Sequence, residues 1–418
     1  MRLHFMRLFI LSIMPFFFLS CQAEREVYSP LFKCSKKLDG AYGVCTHINR
    51  VGPRYEYDTR EQDLSMIDNV GATWLRADWD LPTLQENGKY VSIFGHYDKM
   101  MGSVNAHNKY IFGIMSLNSS FKMSDIEKWE KHVSQVAAHY KKYVIHWEII
   151  NEVDIIQQWR PGIYAMDYVK LLKKGYTAIK SQNKKAIVLF SGIANTDNTF
   201  VDSVFSENVS DYFDVMTVHR YTYKKTEPET FLDYYLRLHK KLLKYGIDKP
   251  VWLTETGGST MSGIIDEQTQ AIRLPRIFLI SFACGIDKVF WYKSRARELN
   301  PTDVNDFYGL WHKDYTPKPA FYSYRTLTNM CPDKSVRPKL SRVGNVYLAH
   351  WKRPDGKNVY AIWTAQNKEI VKIYTNGKYE SFDVYCNQIL SGDSMIEASP
   401  SILYYVGGED FQFSILEK

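Results

Sequence analysis

The sequence predicts an α/β fold, a (β/α)8 TIM barrel followed by a small C-terminal antiparallel β-sandwich. Three observations carry that prediction. Short β-type runs alternate with amphipathic helical runs from about Gly40 to Asn329. After Pro332 the helical period stops and alternating strands with Pro/Gly turns begin. The fourth and seventh β-type runs each end on a Glu, and barrel proteins carry their chemistry at strand carboxyl ends.

The eight runs are Ala41 to Val44, Trp74 to Ala77, Tyr110 to Ile114, Ile145 to Ile150, Ala186 to Phe190, Val215 to Val218, Val251 to Thr254 and Lys288 to Trp291. Helix candidates between them include Ser124 to Tyr140, where Ser124 and Glu127 have the spacing of a capping box, and Tyr164 to Gln182. Eight β/α pairs close a barrel. An open doubly wound sheet would want a Gly-rich phosphate turn after its first strand, and Val44-Cys45-Thr46-His47 is not one. Beyond Pro332, Val346 to Trp351 and Val359 to Thr364 flank Arg353-Pro354-Asp355-Gly356, a hairpin signal, and further strands are expected at Ile370 to Tyr374, Phe382 to Tyr385 and Ile402 to Val406. The expected organisation is a signal over 1–20, an N-terminal segment over 21–39 that packs on the sandwich, the barrel over 40–332 and the sandwich over 333–418.

The first twenty residues place Arg2 and Arg7 before an apolar stretch, Leu8 to Leu19, too short to span a bilayer. Phe18-Leu19-Ser20-Cys21 follows it and resembles the lipobox of bacterial lipoproteins, which makes Cys21 the expected lipidation site. A cell-envelope protein held to the membrane by a lipid anchor alone is therefore expected. The remaining cysteines, Cys34, Cys45, Cys284, Cys331 and Cys386, have no zinc-site spacing. Cys34 and Cys45 can pair in an oxidising compartment, while buried free thiols are the default for the rest.

Composition narrows the function further. With 45% hydrophobic and 24% charged residues the chain reads as folded rather than disordered. The aromatic share of 15% suits stacking on sugar faces as well as aromatic packing. A formal charge of +7 with no dense Lys/Arg run gives no nucleic-acid stripe. No cofactor and no metal are expected.

The chemistry lies in two strand ends, Trp147-Glu148-Ile149-Ile150-Asn151-Glu152 and Val251-Trp252-Leu253-Thr254-Glu255-Thr256-Gly257. Strands four and seven of a closed barrel face each other across the lumen, so Glu152 and Glu255 can approach one sugar from two sides, the arrangement that glycoside hydrolysis uses. A nucleophile must stay ionised, and Arg76 with Tyr221 favours the carboxylate of Glu255. The acid must hold a proton, which repulsion from Glu255 and burial beside Trp147 favour at Glu152. Glu148, four residues earlier on the same strand, is expected to point into the barrel below the site as a structural ion pair.

Trp147-Glu148-Ile149-Ile150-Asn151-Glu152 resembles the strand-four signature WEIWNEP of glycoside hydrolase clan A. That resemblance implies a retaining barrel enzyme in which Glu152 is the acid/base, Glu255 the nucleophile and Asn151 a ligand of the sugar 2-hydroxyl. It also implies that Arg76 holds the nucleophile ionised, that His219 and Tyr221 join from strand six, and that Trp291 floors the sugar site. His47, Asp78 and Trp79 follow strand ends as further substrate contacts. The early His47, the compact layout and the trailing sandwich look most like family 39. Val153 stands where the signature has Pro. The implied function is retaining hydrolysis of O-glycosidic bonds in a plant or host oligo- or polysaccharide. The alternative is a barrel that binds glycan without cleaving it, whose usual mark, loss of one catalytic carboxylate, this chain lacks.

Overall fold

A computed structural model of the chain describes residues 25–49, 59–79, 94–117, 121–158, 162–224, 226–389 and 394–416. The expected signal over 1–20 and Cys21 lie outside the described residues. Among the described residues no helix is long and apolar enough to cross a membrane.

A first short strand, β1 (Glu26–Tyr28), precedes eight parallel strands: β2 (Tyr42–Cys45), β3 (Trp74–Trp79), β4 (Tyr110–Met115), β5 (His146–Ile149), β6 (Ile187–Leu189), β7 (Met216–His219), β8 (Val251–Thr256) and β9 (Val289–Trp291). Each of these eight is followed by a helix: α1 (Arg60–Val70), α2 (Phe94–Ala106), α3 (Ile126–Tyr140), α4 (Ala165–Gln182), α5 (Thr199–Phe205), α6 (Thr230–Lys244), α7 (Glu267–Ala283) and α8 (Pro319–Met330). Ladder pairing runs β6-β5-β4-β3-β2-β9-β8-β7. The last seam closes where Phe190 N–H donates to Val215 O at 3.0 Å and Ile193 N–H to Thr217 O at 3.1 Å. The expected eight β/α pairs are therefore present as a closed barrel.

Both faces of these strands are buried, so they read as apolar runs without alternation. Inside the lower barrel Trp74, Phe112, Trp252 and Phe290 form one cluster with Cys45, Leu189 and Val215. Gly43 makes room for it, because a Cβ there would lie 2.3 Å from the Phe290 ring. The floor below is closed by the N-terminal segment. Lys288 Nζ donates to Asp39 O at 2.8 Å and Gly40 O at 2.9 Å and sits 4.7 Å from the Trp74 ring centroid. Arg337 ties the segment to α7, donating to Ser35 O at 2.8 Å and Phe282 O at 3.1 Å.

The Ser124 capping box does not form. A 3-10 turn over Met123–Asp125 precedes α3, and the Asp125 carboxylate accepts from Lys122 N at 3.3 Å instead. Cys34 and Cys45 do not pair: both are free, and Cys45 Sγ donates inside the barrel to Thr254 O at 3.3 Å.

The C-terminal unit contains β10 (Lys339–Val343), β11 (Val346–Lys352), β12 (Asn358–Thr364), β13 (Glu369–Asn376), β14 (Tyr379–Phe382), β15 (Gln388–Ile389), β16 (Met395–Ala398), β17 (Leu403–Gly407) and β18 (Gln412–Ile415). Seven strands pair in the order β1-β10-β11-β12-β17-β14-β15, and three in the order β16-β13-β18. The hairpin at Arg353-Pro354-Asp355-Gly356 joins β11 to β12, with Arg353 N–H donating to Lys357 O at 2.8 Å. Alternation splits the larger sheet into two apolar faces. Val346, Leu348, Tyr360, Ile362 and Tyr405 pack on the smaller sheet. Tyr347, Ala349, Trp351, Ala361, Trp363 and Tyr404 belong to the core shared with the barrel.

Candidate active site

The site is built where β5 leaves the barrel wall. Past Ile149 the backbone turns into the left-handed region at Ile150 (φ 64°) and again at Glu152 (φ 45°). Such conformations cost non-glycine residues of order 1–3 kcal/mol each and persist where the surroundings impose them. Here Ile150 and Val153 are buried, and Glu152 N–H donates to Ser191 O at 2.7 Å, beyond the end of the neighbouring strand. The turn lifts the Glu152 side chain to the barrel mouth, where it is part-exposed.

Opposite it, Glu255 near the end of β8 is buried and held by both oxygens. Arg76 Nη1 donates to Oε1 and the Tyr221 hydroxyl donates to Oε2. Burial alone would push the Glu255 carboxyl up, but the charges of His219 and Arg76 and the hydrogen bonds from Tyr221 and Arg76 win, holding it below the usual carboxylate range. Tyr221 moves the other way. Burial, then the charge of Glu255, pushes its hydroxyl well up, so it remains a donor.

Arg76 is the hub. Beyond Glu255 it donates to Glu148 Oε1 at 3.0 Å and Oε2 at 3.3 Å, and to Asn151 Oδ1 at 2.6 Å. Glu148 is fully buried and fills the place of a structural ion pair below the site. With its oxygen held by Arg76, the Asn151 amide nitrogen is left as the group that can donate outward to a ligand.

His219, at the end of β7, bridges the two acids: Nδ1 lies 2.8 Å from Glu152 Oε1 and 3.6 Å from Glu255 Oε2. Burial lowers its proton affinity, but the charge of Glu255 and the bond and charge of Glu152 overcome this and push it up. Gly192 gives the ring its space. At φ +59° it adopts a conformation suited to glycine, and a Cβ would stand 2.3 Å from His219 Nε2. One ligand-type atom each of Glu152, His219 and Glu255 lies within 4.8 Å of the other two. This spacing would also suit a cation, but Arg76 already supplies the positive charge at Glu255, and the imidazole is engaged with Glu152.

A cleft of about 120 Å³ opens beside Glu255, lined by Thr46, His47, Arg76, Asp78, Asn151 and Tyr292 among others. His47 and Asp78 thus stand at the cleft with Glu255. Two predicted contacts do not. Trp79 is fully buried against Tyr97, Tyr140 and Trp147, on the helix side of β3. Trp291 is fully buried in the barrel–helix core, whereas its neighbour Phe290 points inward. Trp147 shares the outward face with Trp79 and does not shield Glu152.

Tyr292 takes the lining position that sequence reading gave to Trp291, and its ring is 5.4 Å from that of Tyr308 and 6.1 Å from that of Tyr221. Tyr292 lies two residues from the inward Phe290, so the alternation of β9 turns it to the lumen. Tyr308 comes from the long segment after β9 and has no strand register to announce it. It is fixed from α7, where the buried Gln270 donates to Tyr308 O at 3.2 Å and Gly258 O at 2.8 Å.

Residues 59–292 match the family model of Cellulase (glycosyl hydrolase family 5). No curated protein is significantly similar in sequence. Among solved structures the fold is similar to that of a family 39 glycoside hydrolase from the gut symbiont Bacteroides cellulosilyticus, at 18% identity and TM-score 0.71 over 89% of this chain and 81% of that one. It is similar also to a monomeric β-xylosidase from Caulobacter crescentus, at 12% identity and TM-score 0.65 over 91% and 99%. An α-L-arabinofuranosidase from Thermotoga maritima matches at 12% identity and TM-score 0.57 over 94% and 100%. With a family match spanning more than half its length, on a barrel that puts two glutamates at one mouth, the chain belongs to the cellulase family, glycosyl hydrolase family 5, in clan A, and is a glycosidase.

Proposed function

We propose that the protein hydrolyses O-glycosidic bonds of a plant or host oligo- or polysaccharide with retention, by double displacement. The observation that carries this reading is the approach of Glu152 and Glu255, one oxygen of each lying within 4.8 Å of the other across the mouth. Retaining enzymes hold their carboxyls roughly 5–5.5 Å apart, whereas inverting ones need about 6.5–9.5 Å to fit a water.

In the first step a Glu255 oxygen attacks the anomeric carbon while Glu152 gives its proton to the departing glycosidic oxygen. The C–O bond breaks and a glycosyl ester forms on Glu255. Esterification removes the charge of Glu255, the largest of the influences that raise the proton affinity of His219. In the second step Glu152, now a carboxylate, takes a proton from water as the water oxygen bonds to the anomeric carbon, and Glu255 leaves as a carboxylate. Asn151 offers its amide N–H groups to a sugar hydroxyl, and His47 and Asp78 line the same cleft.

Proton NMR of the first-formed sugar, recorded before mutarotation, tests the stereochemistry: the starting anomer should appear, and the opposite anomer would refute double displacement. Tyr221→Phe tests the electrostatics. It deletes a hydrogen bond that favours ionised Glu255, so the carboxyl loses its proton only at higher pH and the acid limb of kcat/KM shifts upward. An acid limb that stays in place would contradict the role given to Tyr221.

The same proposal places the protein in the cell envelope through a lipid on Cys21. Membrane fractions should contain the native chain, and Cys21→Ala should move it to the soluble fraction; equal partitioning of both would argue against the anchor.

A further inference from the structure

The sandwich reaches the catalytic mouth through an unbroken series of polar contacts. Trp363, on β12, is fully buried and stacks on Tyr347 with ring centroids 5.6 Å apart and planes 8° from parallel. Its Nε1 donates to Glu229 Oε1 at 2.8 Å. Arg276 on α7, 1% exposed, donates to the same carboxylate from Nε at 3.0 Å and Nη2 at 2.5 Å. Arg276 Nη2 also donates to Glu227 Oε2 at 3.3 Å and to Ala365 O, just past β12, at 2.9 Å. Arg273, one turn earlier on α7, donates to Glu227 and, at 2.9 Å, to Tyr223 O.

Glu227, Glu229 and Tyr223 all belong to the segment between β7 and α6, whose second residue is Tyr221, the hydroxyl donor to Glu255. Two buried arginines are matched by two glutamates, and the indole N–H is a further donor to Glu229. A network of this kind is rigid while complete and gives way when one member is lost. Reacting groups must be held to a fraction of an ångström, and Tyr223 O is tied to α7 only two residues from Tyr221. The neighbouring Thr222 is tied to β8, N–H to Gly257 O at 3.0 Å.

We propose that Trp363 and Glu229 are positioning residues for the nucleophile: through Arg276, Glu227 and Arg273, the sandwich sets where Tyr221 meets Glu255. The inference rests on the reading of Glu255 as nucleophile. It gives the C-terminal unit a part in the reaction without any contact with substrate.

A double-mutant cycle in the full-length chain tests it, using 2,4-dinitrophenyl glycosides of a panel of sugars as probes. Trp363→Phe keeps an aromatic ring against Tyr347 and deletes the donor together with part of the indole volume. The expected result is a roughly tenfold loss of kcat with KM little changed. In a Tyr221→Phe background the same substitution should cost less than about twofold more, since the group it positions is already gone. Glu229→Gln, which keeps shape and loses charge, should show the same non-additivity, and it stands in if Trp363→Phe fails to fold by circular dichroism. Equal losses in both backgrounds, or no loss in either, would overturn the positioning role and reduce the network to packing. If the wild type turns over none of the glycosides, the nucleophile assignment falls and the positioning role falls with it; wild-type turnover with additive losses removes the positioning role alone.

Discussion

Replacing Glu255 with alanine is expected to abolish turnover for every leaving group, by about 10⁵-fold or more, the scale seen when a covalent nucleophile is removed. Added azide should restore reaction in the vacated space and give a glycosyl azide of inverted configuration. Glu152→Ala removes only proton assistance. An activated aryl glycoside departs without a proton, so this variant should form the glycosyl-enzyme, accumulate it, and respond to azide with a product of retained configuration. Natural glycosides should lose about 10² to 10⁴ in rate. Both carboxylates approach His219 and one oxygen of each lies within 4.8 Å of the other, so proximity alone does not separate their roles. The contacts of Glu255 do: Arg76 and Tyr221 occupy its oxygens. Identical behaviour of the two variants, or the opposite azide stereochemistry, would reverse or remove the assignment.

The second large effect is expected at Arg76. Its guanidinium is shared by Glu148, Glu255 and Asn151, and both glutamates are buried. Arg76→Leu would leave two buried carboxyls with His219 as the neighbouring positive group and no guanidinium to bond them. Removing one member of such a cluster costs about 3–5 kcal/mol, because the remaining charges are uncompensated. The loss should appear as a lower urea midpoint for the barrel. Activity should fall by about 10²-fold or more, since Glu255 then takes up a proton more readily. Arg76→Lys keeps the charge without the planar fork, and should fall between the two. A leucine variant with native stability would show that the carboxyls are adequately held by other groups.

Sequence revealed most of the barrel because its strands are short apolar runs at regular spacing, and each observed barrel strand overlaps the run expected for it. It revealed the polar ends of strands because Arg76, Glu152, His219 and Glu255 interrupt otherwise apolar patterns. It failed where a strand is apolar on both faces. In Val289–Trp291 nothing in residue type tells the lumen from the helix side, so the large ring of Trp291 was given a place that belongs to Tyr292. Trp79 is a different case, because Arg76 and Asp78 mark the lumen face of β3 and the alternation turns Trp79 to the helix side. The orientation of Glu152 depends on positive φ at Ile150 and Glu152, which neither residue type favours and which only the packing around them imposes. Tyr308 reaches Tyr221 and Tyr292, and the arginines of α7 reach the segment after β7, across long separations that no local pattern encodes. In the sandwich, the run expected over Phe382 to Tyr385 is strand only at Phe382, the end of β14, before the chain turns, and β10, β15, β16 and β18 were not expected. Their alternation is short and polar, as in Lys339–Val343.

The pairing of β1 with β10 has a consequence for biosynthesis. Val27 pairs with Ser341, and Leu38 N–H with Ser335 O, so the stretch that closes the barrel floor waits for partners some three hundred positions downstream. At a synthesis rate of about 5–20 residues per second, that interval is roughly 15–60 s. Throughout it β1 has no ladder to join. Completion of the fold is thus tied to the arrival of the last fifth of the polypeptide, and a nascent chain stalled before Arg337 would leave β1 unpaired and lack the tie from Arg337 to Ser35.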